Sequence, residues 1–236
     1  SDLIDGELRG AFTVADLPAA VRKVMHIALP SVFEAPTRRV ADDASHFILT
    51  ASVRNTEALS RLLRLPVTIV EPATVKADYD GRTGQLHLAA ELPHFIAAGS
   101  TFRSGTLTTG NDKGPLRLFL EADRKQQEGA QSHIRVEAEA ESDRLRTLLA
   151  LTNPGAGVDL ALSAATRFST RPDDNGRRAL LANIDLEPNR LVIRDSTWQM
   201  EPATITIDGR DITLRDIYLF KGAQYLRING MLSERN

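Results

Sequence analysis

Five histidines are the first residues to consider for metal or acid–base chemistry: His26, His46, His87, His94 and His133. None forms a His-x-x-x-His or His-Glu-x-x-His pair, the spacing that places two imidazoles on one helix face for zinc. His87 and His94 lie among alternating apolar residues, a pattern typical of a strand. We therefore interpret the histidines as surface or sheet-edge residues, and we predict no metal site.

One carboxylate motif is suggestive of a cation site. Asp78-Tyr79-Asp80-Gly81 resembles the start of a calcium loop, but the further carboxylates and the distal glutamate are missing. A hairpin turn explains the segment better, because Asp-Gly tolerates the backbone of a tight turn. Carboxylates paired in space for glycoside hydrolysis are invisible in a sequence, and the scarcity of aromatic platforms disfavours a sugar-active protein.

Motifs for nucleophilic or nucleotide chemistry are missing from the sequence. The chain has no cysteine, which excludes disulfides, zinc thiolate sites and a cysteine nucleophile. Residues 99–105 do not match the Gly-x-Ser-x-Gly elbow of serine hydrolases. Neither a P-loop nor a Gly-x-Gly-x-x-Gly segment occurs. We predict a protein that is not an enzyme and uses no cofactor.

Composition limits the class of protein and the kind of partner. A chain of 236 residues with 42% hydrophobic residues can bury a core and is not disordered. The net charge of −2 provides no positive electrostatic field to attract nucleic acid. With 5% aromatic residues, the chain also has few side chains on which bases could stack. We expect no nucleic-acid partner. The sequence opens on Ser1-Asp2 without methionine, and we expect a section of a larger protein.

The stretch from residue 186 to residue 232 carries the clearest structural pattern. Apolar residues recur at every second position, as in Leu191 with Ile193, Ile205 with Ile207, Ile212 with Leu214, and Leu226 with Ile228. Successive side chains of a strand point to opposite faces, so this period predicts strands with one apolar and one wet face. Turn residues such as Asp208-Gly209 separate the runs, which indicates an antiparallel meander.

The rest of the chain reads in the same way, with about a dozen strands and about three short helices in total. We place the helices after Asp16, Asn55 and Ser142, where each would be capped, and end them near Pro30, Pro66 and Pro154. We treat residues 1–236 as one elongated β-rich section. A division into 1–66, with strands and two helices, and 67–236, with the main sheet, is possible.

One internal similarity links two distant segments. Residues 71–78 read EPATVKAD and residues 201–208 read EPATITID, and both continue into a glycine turn and another alternating strand. A sheet that grows by repetition would use the same β unit twice.

Three segments together resemble the periplasmic β-rich region of TamB-type, AsmA-like proteins of the translocation and assembly module: NTEALSRLLRLP, EPATVKADYDGRTGQLHL and LVIRDSTWQMEPATITIDGRDITLRDIYLFKGAQYLRINGML. The resemblance implies a sheet curled into an open apolar trough, or β-taco. It implies a Gram-negative periplasmic protein, anchored in the inner membrane by an N-terminal helix outside this sequence. Its implied roles are phospholipid transport between the membranes and outer-membrane protein assembly and secretion. Its partners would be phospholipid acyl chains and an outer-membrane component of the BamA/TamA type.

The apolar faces of the predicted strands supply the expected lipid groove. Its residues are Val75, Ala77, Leu86, Leu88, Leu191, Ile193, Ile205, Ile207, Ile212, Leu214, Leu226 and Ile228. Such small and aliphatic side chains leave room for an acyl chain, but they suit tight sheet packing equally well. A closed β-sandwich that recognises a protein or glycan is therefore the competing hypothesis, and a hydrolase is the least supported.

Overall fold

The computed structural model describes residues 4–11, 16–35, 45–54, 67–97, 99–112, 114–125, 131–173, 176–194 and 196–233. Within these ranges the chain forms sixteen strands in one sheet, one α-helix and a short 3₁₀ turn at Pro154–Ala156. The helix is α1 (Asp16–Ala28). The strands are β1 (Ile4–Ala11), β2 (His46–Val53), β3 (Val67–Ile69), β4 (Ala73–Asp80), β5 (Gln85–Ala97), β6 (Ser100–Gly110), β7 (Leu116–Lys125), β8 (Gln131–Glu141), β9 (Arg144–Asn153), β10 (Val158–Pro172), β11 (Arg178–Leu186), β12 (Asn189–Ile193), β13 (Ser196–Met200), β14 (Ala203–Asp208), β15 (Asp211–Lys221) and β16 (Gln224–Leu232).

The sheet is an antiparallel meander, as the sequence predicts. Strands from β4 to β11 each pair with the next along the chain, and β14, β15 and β16 continue in the same way. The sheet also runs without interruption from β2 to β4, across the possible division at residues 66 and 67. At the far ends, β1 pairs with β2 and β16 pairs with β15.

Three Glu-Pro pairs interrupt strands of this sheet. Glu71-Pro72 separates β3 from β4, which both pair with β5. Glu187-Pro188 separates β11 from β12, and Glu201-Pro202 separates β13 from β14. Proline has no N–H to donate to the ladder, so each pair ends one run of hydrogen bonds before the next begins.

Two of these breaks lie opposite each other. Leu186, just before Glu187-Pro188, pairs with Ala203, and Asn189, just after it, pairs with Met200. The two Glu-Pro segments therefore lie at the same height along the strands of the sheet. The neighbouring β15 has a bulge at that level, where Asp216 adopts a φ of 57°. The repeated EPAT segments thus begin equivalent strands, β4 and β14, in one sheet, and Ala73 and Ala203 are both buried.

Helix α1 packs across the N-terminal half of the sheet, on strands from β2 to β8. Ala20, Val24 and Ala28 recur every four residues, so they form one helix face, and all three are buried. Val24 and Ala20 belong to a cluster with Phe47 and Tyr79, whose ring centroids are 5.4 Å apart. The predicted first helix is confirmed.

The C-terminal end of α1 is held by the turn between β8 and β9. The Asp143 carboxylate accepts hydrogen bonds from the Ser31 backbone N–H at 2.7 Å and from its hydroxyl at 2.9 Å. The Asp143 N–H donates to the Ala28 carbonyl at 3.1 Å. These bonds satisfy groups at a helix end that the helix itself leaves unpaired.

The predicted helix after Ser142 is wrong. Residues 144–153 form β9, and Ser142 and Asp143 make a two-residue hairpin turn with φ of 51° and 61°. The spacing of Leu145 and Leu149 is compatible with a helix and with a strand. The segment forms a strand because it pairs with β8. The predicted helix after Asn55 lies outside the described residues. At the N-terminal edge of the sheet, Ile4–Ala11 forms a single strand, β1, which pairs with β2.

Candidate functional site

The candidate site is one face of the sheet. Directly opposed residues of antiparallel strands point to the same face. The register from β4 to β16 therefore places all twelve predicted groove residues on one side, which we call the apolar face. Leu191 and Ile193 reach it through the pairing of Val158 with Ile193. Their shared placement is a finding, and their contact with lipid stays a prediction.

Helix α1 covers only part of the apolar face. Ala77 and Leu86 are buried in the same cluster as Ala20 and Val24, and Leu88 packs against it. Ala77 and Leu86 therefore belong to the core beneath the helix and are closed to a ligand. Coverage falls towards β16, where Leu226 is 51% exposed. The accessible part of the predicted groove therefore lies on the C-terminal strands.

A continuous row of apolar side chains crosses the middle of this face. Leu107, Leu120, Val136, Leu149 and Leu162 are directly opposed in turn on β6, β7, β8, β9 and β10. Four of them are half-buried and Leu149 is 46% exposed. The sequence interpretation missed Leu149 as a groove residue because it placed a helix between Ser142 and Pro154. The alternation of Leu149 with Leu151 was the signal that could have found it.

No buried cluster covers this row in the described part of the chain, in which all sixteen strands belong to one sheet. The two clusters that involve α1 and the segment after it reach residues at the start of β7 and β9, such as Leu116 and Leu145. The row through Val136 and Leu149 belongs to neither cluster, which explains its partial exposure.

The opposite face, which we call the charged face, carries ion pairs between strands. Arg117 Nε lies 3.1 Å from Glu139 Oε2, and the Arg135 guanidinium lies 5.1 Å from the centroid of the Phe119 ring. Glu137 lies beside Arg135. Surface ion pairs of this kind contribute about 0–1 kcal/mol each to the free energy of unfolding. The charged face is therefore solvated and adds little to stability.

A cleft of about 1270 Å³ lies on the charged face. Its lining comes from β2 and from β4 to β10. The sequence interpretation placed a groove on the apolar face and did not foresee this cleft. Side chains that reach it include Ile48, Lys76, Asp78, His87, Arg117, Phe119, Arg135, Glu137, Glu139, Arg146 and Leu148.

Some of the residues considered for metal or acid–base chemistry are cross-strand neighbours, because His46 is opposed to Asp80 and His87 to Asp78. His87 Nε2 is 2.7 Å from Asp112, and His133 Nδ1 is 3.0 Å from Asp123. Asp80 accepts a hydrogen bond from the Arg82 N–H at 2.9 Å, in the hairpin that joins β4 and β5. Among the described residues, no group of three or more histidine or carboxylate side chains could hold a metal ion. The hairpin interpretation of residues 78–81 is confirmed.

Comparison with known proteins adds no assignment. Neither the family models, nor the curated proteins, nor the solved structures contain a match to this chain. In the part of the chain that the structure describes, no helix has the length and apolar character needed to cross a membrane. The functional proposal therefore depends on the geometry of the two sheet faces.

Proposed function

We propose that this chain is a non-enzymatic section of a larger envelope protein, and that its apolar face binds phospholipid acyl chains. The observation that carries the proposal is the row from Leu107 to Leu162, which crosses five strands and lies outside both buried clusters of the described residues. Contiguous apolar surface of this kind marks an interaction site in soluble proteins.

The dimensions of the row suit an extended hydrocarbon chain. Neighbouring strands lie about 4.8 Å apart, so five strands give a row of about 19 Å. An acyl chain that lies across the strands would contact one aliphatic side chain on each. Burial of a hydrocarbon contributes about 0.8 kcal/mol per CH₂, so a modest length of contact suffices for binding.

The cellular setting follows from the resemblance to TamB-type proteins. We place the chain in the periplasm of a Gram-negative bacterium, with its parent anchored in the inner membrane. Its role there would be phospholipid transport between the membranes, outer-membrane protein assembly and secretion, or both. An outer-membrane component of the BamA/TamA type would be the partner of the parent protein.

The closed β-sandwich is the weaker alternative. A sandwich seals its apolar face against a facing layer of strands. Its inward residues would be as buried as Ala77 and Leu86, whereas Leu149 and Ile193 are exposed. Recognition of a protein or glycan by such a module therefore has less support than acyl-chain binding.

Two adjacent leucines provide a matched test of the proposal. Leu149 lies on the apolar face, and Leu148, opposed to Glu137, lies on the charged face. We expect phospholipid to co-purify with the wild-type protein from a Gram-negative host and to be detected by native mass spectrometry. Leu149→Asp should reduce the bound lipid at least about tenfold, because a carboxylate in contact with hydrocarbon is strongly unfavourable.

The control is Leu148→Asp, which should keep the bound lipid. Circular dichroism checks that both variants keep the β content of the wild type. Equal loss of lipid in the two variants would contradict a site on the apolar face. A wild-type protein that neither carries phospholipid nor acquires it from vesicles would contradict the proposed function as a whole.

A further inference from the structure

Arg124, the last residue but one of β7, differs in burial from the other arginines of the chain. It is half-buried, whereas every other arginine in the part of the chain that the structure describes is exposed. A guanidinium is permanently charged, and its partial removal from water is unfavourable unless hydrogen bonds or an opposite charge compensate it. Arg124 is therefore the arginine for which a binding partner matters most.

The side chain of Arg124 belongs to the apolar face. Arg124 is directly opposed to Ser132 on β8, and four positions earlier Leu120 is directly opposed to Val136. Residues an even number of positions apart in a strand share a face, and directly opposed residues of antiparallel strands do so too. Because Leu120 and Val136 are members of the central apolar row, a positive charge lies on the same side of the sheet as that row.

No carboxylate compensates this charge among the described residues. On the charged face, by contrast, Arg117 pairs with Glu139 at 3.1 Å. Arg124 has neither an ion pair nor a side-chain hydrogen bond with any residue that the structure describes. Its neighbours across the sheet are Phe102 on β6 and Ser132 on β8, which carry no charge. The guanidinium therefore keeps its hydrogen-bond donors available for an anion.

The neighbours of Arg124 are held in fixed positions. Ser132 and Asn153 are both buried, and Asn153 Nδ2 donates a hydrogen bond to Ser132 Oγ at 2.9 Å. On the other side of Arg124, the Phe102 ring stacks on the Phe95 ring, with the centroids 5.1 Å apart. A binding group whose neighbours are packed and hydrogen-bonded is pre-organised for its ligand.

On the basis of the proposed function, we propose that Arg124 binds the phosphate group of the phospholipid whose acyl chain lies on the apolar face. The planar guanidinium can donate two parallel hydrogen bonds to phosphate oxygens, and the anion supplies the opposite charge. Arg124 lies four residues beyond Leu120, or about 13 Å along the strand. On this face of β7 only Ala122, a small residue, lies between them. A headgroup at Arg124 thus leaves its acyl chain within reach of the central row.

Helix α1 determines which end of the apolar face is left for the headgroup. Leu116, at the other end of β7, packs against both buried clusters, to which α1 contributes Val24 and Ala28. The end of β7 that begins at Leu116 is therefore occupied by packed protein. The headgroup lies at the Arg124 end, and the acyl chain extends from there towards the central row.

Two lipids that differ in the phosphate group test this assignment. Dioctanoyl phosphatidylglycerol carries the phosphate, and dioctanoylglycerol has the same acyl chains without it. We expect the wild-type protein to bind the phospholipid at least about tenfold more tightly in isothermal titration calorimetry, because hydrogen bonds between charged groups are the stronger kind. Arg124→Gln should remove most of this preference by weakening the binding of phospholipid, while the affinity for dioctanoylglycerol stays unchanged.

Two further variants and one further ligand serve as controls. Arg146 is an exposed arginine on the charged face, where it is opposed to Glu139, so Arg146→Gln should keep the full preference. Arg124→Lys retains the charge but not the planar fork, and it should keep part of the preference. Inorganic phosphate should bind the wild-type protein at least about tenfold more weakly than the phospholipid, because it has no hydrocarbon to bury.

Three results would overturn the proposal. The first is equal affinity of the wild-type protein for the two lipids, which leaves acyl-chain binding in place without a phosphate site. The second is an equal loss of both lipids in Arg124→Gln, which would assign Arg124 to the stability of the sheet. The third is inorganic phosphate that binds as tightly as the phospholipid. Failure of the proposed function gives a different result, since the wild-type protein would then bind neither lipid.

Discussion

Substitution of Val24 by alanine tests whether α1 is a fixed cover over one end of the apolar face. Val24 is 1% exposed and belongs to the cluster with Phe47, Tyr79 and Leu86. Removal of its two methyl groups loses about 1.6 kcal/mol of the free energy gained by transferring them from water to the core. The cavity left behind costs roughly 1 kcal/mol more. The better helix propensity of alanine offsets about 0.6 kcal/mol, so the free energy of unfolding should fall by about 2 kcal/mol.

Val21 of the same helix provides the matched control. It is 43% exposed, so Val21→Ala has the same gain in helix propensity without the loss of a buried contact. We expect this variant to be as stable as the wild type or slightly more stable. Urea denaturation followed by circular dichroism should show a lower midpoint for Val24→Ala, with an unchanged slope. Equal midpoints for the two variants would show that α1 does not dock on the sheet through Val24.

Four further substitutions test other parts of the structure. Asp143→Ala removes the acceptor of two hydrogen bonds from Ser31, so it should lower the free energy of unfolding by about 2–3 kcal/mol in urea titration; an unchanged midpoint would refute this anchor of α1. Gly105→Ala should destabilise the protein, because its Cβ would lie 2.5 Å from the Phe95 ring, whereas Gly230→Ala, with open space around it, should be tolerated in the same thermal melt. Ile205→Asp should lose bound phospholipid in native mass spectrometry and keep the β content, and collapse of the fold would indicate a sealed interior instead.

Local sequence patterns predicted much of the sheet, because its strands alternate clearly. The period of two predicted the strands after Leu186, and turn residues such as Asp208-Gly209 marked their ends. The sequence also identified the EPAT similarity between β4 and β14. It could not show that Glu187-Pro188 and Glu201-Pro202 face each other, because that follows from the pairing of Leu186 with Ala203 across the sheet.

The error at β9 has a specific physical cause. Leu145, Leu148 and Leu149 match helical spacing, and Ser142 is a good residue to begin a helix. The alternative depends on two residues with positive φ at the turn and on ten residues of pairing with β10. Tertiary pairing overrides local propensity in strands more than in helices. The same error hid Leu149, which is the most exposed side chain of the central apolar row.

The charged cleft was beyond the reach of sequence patterns for a different reason. Its lining residues, such as Lys76, Phe119 and Arg146, come from strands far apart in sequence. Alternation with a period of two shows which residues share a face of a strand. It does not show which face of a curved sheet is concave. The twelve predicted groove residues share a face as expected, and the burial of Ala77 and Leu86 under α1 depends on where the helix docks.

A photo-crosslinking experiment tests acyl-chain binding by the apolar face most directly. The purified protein would be loaded with a phospholipid that carries a diazirine within its acyl chain, irradiated, and mapped by peptide mass spectrometry. We predict modified residues in the row through Val136, Leu149 and Leu162, and none at Leu148 on the charged face. Labelling confined to the charged cleft, or no labelling above that of a denatured control, would contradict the account.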